Sequence, residues 1–235
     1  QLLGLISHEY FHTWNVKRLR PAELTSIDFK QENYTALLWF FEGFTSYYDD
    51  LFLQRTGLIK QQTYLDLVAK TINQVAATPG RHIQSVAQAS YDAWVKYYRV
   101  GENTPNATVS YYTKGALIAL CTDLLLRKRG SDLDTLMRTL WHRTSGGPMT
   151  EAMVSQSLHD LGFEDVAVQL HDWVHTTEDL PIAALLGDFG VSLKPKTAPL
   201  AQRLGLRVNE RDGIRITHVA RGGAGEAAGM AAGDE

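Results

Sequence analysis

The chain has 235 residues, 44% hydrophobic and 21% charged, with a formal net charge of −3 and a single cysteine. That is an ordinary globular composition, long enough to bury a substantial core. It offers no basic stripe for nucleic acid or an anionic membrane surface, no apolar run of bilayer-spanning length, and no second cysteine for an intrachain disulfide.

Residues 1–16 are the first predicted helix and contain His8-Glu9-Tyr10-Phe11-His12. One helical turn separates the two histidines, so their imidazoles project from one face. The surrounding Leu2, Leu3, Leu5, Ile6, Tyr10, Phe11 and Trp14 predict a largely buried helix. Residues 17–34 are polar and irregular. Residues 35–56 read as a second apolar helix, with Glu42 among Trp39, Phe40, Phe41 and Phe44 and with Gly57 as its stop. Leu65, Val68, Ile72 and Val75 mark a helix over 60–77, ended by Pro79-Gly80. A short helix is predicted near 89–98 and a turn near 103–106. Tyr111 to Arg129 is an apolar helix holding Cys121 and closed by Gly130. Ser131 or Asp132 can cap a helix reaching Arg143, Thr150 can cap another reaching Leu161 with Gly162 as its stop, and Phe163 to Thr176 completes the helical region. From about residue 182 the texture changes. Short alternating stretches at 190–193, 206–208 and 214–219, separated by glycines, predict a β-rich second module with one short helix near 224–228.

The histidine pair carries the chemistry. Open zinc sites take neutral imidazoles and a carboxylate and leave a position for water. His8 and His12 supply two donors. Glu42 is the third, because a carboxylate among aromatic side chains is costly without a cation. Glu9, between the histidines, is placed to take a proton from water. His171-Asp172-Trp173-Val174-His175 repeats the spacing with a shorter acid. Thr176 to Asp179 after it read as a helix end and offer no second ligand helix, so this pair reads as a solvated or partly packed helix face. His82, His142, His159 and His218 read as surface or packing residues.

The run from His8 to Pro21, followed by Glu42-Gly43-Phe44-Thr45-Ser46-Tyr47-Tyr48-Asp49-Asp50, resembles the bacterial glycyl aminopeptidase family of zinc metallopeptidases, relatives of aminopeptidase N and thermolysin. The resemblance covers about residues 1–180. It implies a mainly α fold, the helical lobe of a thermolysin-like catalytic domain, with Zn2+ on His8, His12 and Glu42 and Glu9 as base. Twenty-nine residues separate His12 from Glu42, a longer gap than in aminopeptidase N relatives, and Glu23, Asp28 and Glu32 lie inside it. The Glu-Gly-Phe context favours Glu42. Tyr112-Thr113-Lys114-Gly115-Ala116 resembles the Tyr-x-Lys-Gly stretch of the same relatives. That implies Tyr112 as donor to the oxyanion, with Tyr111 as the alternative register. Asp49 and Asn15 are candidates to orient the histidines, with Ser46 in reserve.

The implied substrates are peptides with a free amino terminus, glycine or another small residue first. In relatives the groups that anchor the amine lie N-terminal to the zinc helix. This chain opens inside a helix, so it reads as a fragment that holds metal and binds substrate poorly. Leu204-Gly205-Leu206-Arg207-Val208 and Ala224 to Met230 resemble parts of a PDZ domain. Residues 181–235 therefore read as a linker and an incomplete, β-rich PDZ-like module, with exposed apolar surface and a β edge that favour self-association. The alternatives are a thermolysin-type endopeptidase and a PDZ adaptor with an inactive lobe. The compartment implied is the cytoplasm, with the periplasm as the alternative.

Overall fold

The computed structural model describes residues 2–211 and 213–235. Helices dominate it. In chain order they are α1 (Leu2–Phe11), α2 (Leu38–Phe41), α3 (Gly43–Arg55), α4 (Gln61–Ala76), α5 (Val86–Tyr91), α6 (Thr104–Ala107), α7 (Tyr111–Lys128), α8 (Leu133–Thr144), α9 (Glu151–Asp160), α10 (Glu164–His175), α11 (Ile182–Gly187), α12 (Leu200–Leu204) and α13 (Ala224–Ala227). Two short strands, β1 (Arg20–Pro21) and β2 (Pro148–Met149), pair in parallel, and β3 (Leu206–Asn209) and β4 (Arg215–Val219) form an antiparallel hairpin. Among the described residues no helix is long and apolar enough to cross a membrane.

The centre of the fold is α7. Its residues Ala116 to Leu124 are buried in an unbroken run, Cys121 included, because α2, α3, α4, α5, α10 and α11 all pack around it. A helix apolar on every side belongs in the middle of a core. Trp39, Phe40, Phe41 and Phe44 pack as a cluster, with Phe40 and Phe44 ring centroids 4.5 Å apart. Each such side chain stabilises by about 1.5–3 kcal/mol on burial. Asp123 is buried on α7 and fully engaged: it accepts from Tyr47 Oη on α3 (2.6 Å), Arg127 Nε (2.8 Å) and the Leu133 amide that opens α8 (2.7 Å). Three elements are thereby joined at one carboxylate.

Helices α3 and α7 approach each other closely. A Cβ added at Gly43 would stand 2.6 Å from Gly115 Cα, and one added at Gly115 would stand 2.7 Å from the Trp39 carbonyl oxygen. Only glycine at both positions lets these backbones touch.

Several predicted elements differ from the observed ones. The first helix is not buried: Leu2 is 71% exposed, Leu5 57% and Ile6 55%. It packs chiefly on α3, and its apolar residues away from that face stay open to solvent. The second helix is broken at Glu42, between α2 and α3. There the Phe41 carbonyl accepts from the Thr45 hydroxyl (2.5 Å) and the Asn15 amide (3.4 Å), a back-bond of the kind that bends helices. The predicted turn at 103–106 is the short helix α6. Thr150 stands at the start of α9 without a side-chain cap, whereas Asp132 caps α8 as predicted. The C-terminal module is less β-rich than its alternation suggests. Residues 190–193 form no strand, and α11 and α12 take up part of the predicted strand region. Asn106 holds the hairpin to the helical lobe, donating to the Val219 carbonyl (2.8 Å) and accepting from the Arg221 amide (2.8 Å).

The glycine contact yields a prediction with competing signs. In an exposed helix Gly→Ala would stabilise by about 1 kcal/mol through propensity. At Gly115 the clash with main-chain atoms outweighs that, and Gly115→Ala should destabilise by about 1–3 kcal/mol, read from denaturant midpoints at constant m-value.

Candidate metal centre

Helix α1 ends at Phe11, but its hydrogen-bond pattern continues one step further, with the His12 amide donating to the His8 carbonyl (3.1 Å). The one-turn spacing of the two imidazoles is therefore kept, and their ring centroids lie 4.6 Å apart. Helix α1 is docked on α3 by the Ser7 hydroxyl, which donates to the Asp49 carbonyl (2.8 Å), and by Phe11 against Tyr48 and Phe52. This docking brings Glu42, thirty residues beyond His12, beneath the histidines.

His8 Nε2 and His12 Nε2 each lie 3.3 Å from the same oxygen, Glu42 Oε2. The three side chains are mostly buried. Their second nitrogens are held from behind: His8 Nδ1 is 3.0 Å from Asp49 Oδ2, and His12 Nδ1 is 2.9 Å from the Asn15 carbonyl oxygen. In the tautomer with Nδ1–H donating to these acceptors, each Nε2 is left free to bind a cation beside Glu42. Asp49 reaches His8 through its side-chain carboxylate. Asn15 acts through its main chain instead. Its side-chain amide turns to Thr45 Oγ1 (3.2 Å) and Phe41 and supports the break before Glu42. Ser46 makes no hydrogen bond to either histidine among the described residues.

The electrostatics call for a cation. Burial works to lower the His8 pKa, but hydrogen bonds and charge from Asp49 and Glu42 outweigh it and raise it to about 9. His12 moves up in the same way, with Glu42 as its main counterweight to burial. Burial works to raise the Glu42 pKa, and the two histidines reverse this and hold it at about 2. A pocket that stabilises charged imidazolium this strongly is one where positive charge is favoured.

The donor set fits a metal ion. A tetrahedral site with bonds of about 2.0–2.1 Å has ligand–ligand edges of about 3.3–3.4 Å, and both His–Glu separations match that edge. Two neutral imidazoles with one carboxylate suit zinc and its neighbours in softness.

Glu9 is exposed and makes no ion pair or side-chain hydrogen bond among the described residues. The alternative registers at 111 and 112 separate clearly. Tyr111 is buried in the core, whereas Tyr112 is half-buried, its ring 6.2 Å from that of His8. Burial first, then the charge of Glu42, pushes the Tyr112 pKa well up, so its hydroxyl stays a donor. Tyr97, which the sequence reading did not single out, stands beside Tyr112 with centroids 5.8 Å apart. Its only signal was the doublet Tyr97-Tyr98, matching Tyr111-Tyr112.

The M61 glycyl aminopeptidase family model matches residues 1–118, half of the chain and all four of His8, Glu9, His12 and Glu42. The chain belongs to the M61 glycyl aminopeptidase family. Its members are metallopeptidases. The solved structure of an aminopeptidase N family protein from Idiomarina loihiensis superposes on 99% of the chain with a TM-score of 0.91 at 36% identity. The chain spans 43% of the length of that protein. A comparison with curated proteins finds no match.

Loss of the carboxylate behind His8 should loosen the centre without unfolding it. Asp49→Asn should lower metal affinity by about 10–100-fold, measured by competition with a chromogenic chelator.

Proposed function

We propose that this M61 chain carries the metal centre of a zinc aminopeptidase. The observation that carries the reading is the convergence of His8 Nε2 and His12 Nε2 on one oxygen of Glu42 at 3.3 Å, with both imidazoles held from behind. His8, His12 and Glu42 would hold Zn2+, which when bound supplies Lewis acidity for peptide hydrolysis at neutral pH.

The remaining roles fall to the chain's own residues. Glu9 is adjacent to His8 and, among the described residues, its carboxylate makes no ion pair or hydrogen bond that would occupy it. It takes a proton from the attacking water and returns it to the leaving amine. Tyr112 donates its hydroxyl hydrogen to the oxyanion that develops on the scissile carbonyl, and its position beside His8 supports that role. Asp49 and the Asn15 carbonyl keep the imidazoles in one tautomer. The substrates proposed are peptides with a free amino terminus, glycine or a small residue first. The β3–β4 hairpin and the short helix α13 support a PDZ-like unit after the catalytic lobe, and the second unit is proposed on that basis.

Glu9→Gln should retain the full metal content, measured by elemental analysis, and lose about 10²–10⁴-fold in hydrolysis of a glycyl substrate. Full turnover in that variant would remove Glu9 from its role. Tyr112→Phe should retain metal equally and lose about 10²–10³-fold in kcat. Equal rates on N-terminally blocked and free peptides would replace the aminopeptidase by an endopeptidase.

A further inference from the structure

The second histidine pair, His171 and His175, has a third partner that the sequence reading sought downstream and that comes from upstream. Helices α9 and α10 form an antiparallel pair joined by Leu161, Gly162 and Phe163, with Gly162 at φ +80°. In such a hairpin the first residue of one helix faces the last turn of the other. Glu151 opens α9, and His175 closes α10 one turn after His171. His175 Nε2 lies 2.5 Å from Glu151 Oε1, and the two imidazole centroids are 4.4 Å apart. One donor atom from each of Glu151, His171 and His175 lies within 4.8 Å of the other two. Among the described residues only His8, His12 and Glu42 form another such group.

The scaffold under these side chains is fixed. Val166, Leu170, Trp173 and Val174 of α10 are buried, as are Val154 and Leu158 of α9. The helices cannot rotate, so the outer face always presents the same three groups.

We propose that Glu151, His171 and His175 form a second, surface-exposed site for a divalent transition-metal cation of the Zn2+, Ni2+ and Cu2+ class. Two imidazoles at i, i+4 and one carboxylate are the donors that class prefers, with water completing the shell. The ion inserts into the His175–Glu151 hydrogen bond. Those two donors must separate from 2.5 Å to about 3.3–3.4 Å, which partly exposed side chains achieve by rotamer changes alone. Among the described residues no carboxylate stands behind either imidazole, in contrast to Asp49 behind His8. This second site is therefore the weaker of the two. Bound metal would clip the free ends of the α9–α10 hairpin together.

The test is a stoichiometry. The full chain, freed of metal by chelation, is titrated with Ni2+ by equilibrium dialysis. The double variant His171→Ala/His175→Ala, with folding checked by circular dichroism, should bind one equivalent fewer than the unaltered chain, whatever the first centre holds. Glu151→Gln should weaken that equivalent without removing it. Identical stoichiometry and affinity in the unaltered chain and the double variant would overturn the proposal. So would loss of the same equivalent on His8→Ala/His12→Ala with His171 and His175 intact.

Discussion

The candidate metal centre depends on a contact to which none of its three donors belongs. At Gly43 and Gly115 the backbones of α3 and α7 approach so closely that a methyl group on either would collide with main-chain atoms of the other. Glu42 immediately precedes the first glycine, and Tyr112 lies one turn before the second. A wider separation of the two helices would move the carboxylate and the tyrosine apart. Tyr47, bonded to Asp123 a few residues along, holds the same pair of helices at a second point.

Above this contact, α1 is the least secured part of the site. It meets the core mainly through α3 and exposes most of its apolar residues. Besides Phe11 against Tyr48 and Phe52, its histidines are held by polar contacts: Ser7 on the Asp49 carbonyl, His8 on the Asp49 carboxylate, and His12 on the Asn15 carbonyl. Asp49 serves α1 twice, once through its main chain and once through its side chain. The result is a cluster in which Glu42 and Asp49 together demand positive charge. A bound cation would answer that demand in the space enclosed by the three donors.

The His171–His175 pair shows how far spacing alone can carry an argument. Both pairs have the same interval and an acid between the histidines. They differ in what lies around them. The first pair has a buried carboxylate below it and hydrogen-bond acceptors behind both rings. The second has a carboxylate on the helix before it and an open surface. Neither the partner Glu151 nor the missing support is visible in a linear pattern, because both depend on how α9 folds back against α10.

Helix periodicity, caps and apolar content determined from the sequence alone that this is a mainly helical chain, and the two short motifs pointed to His8, His12 and Glu42 as candidate donors, which the fold brings together. These features are local: the one-turn geometry of a histidine pair and the cost of an acid among aromatics need no knowledge of distant residues. The tertiary structure decided what distance governs. It exposed the apolar side of α1, which only a count of covering elements could reveal. It broke the second helix at Glu42 through hydrogen bonds from Asn15 and Thr45, and it turned Asn15 from a side-chain partner into a main-chain one. It put Tyr111 in the core and the Tyr112 ring beside His8, because the rotation of α7 about the Gly43 contact decides which ring is enclosed.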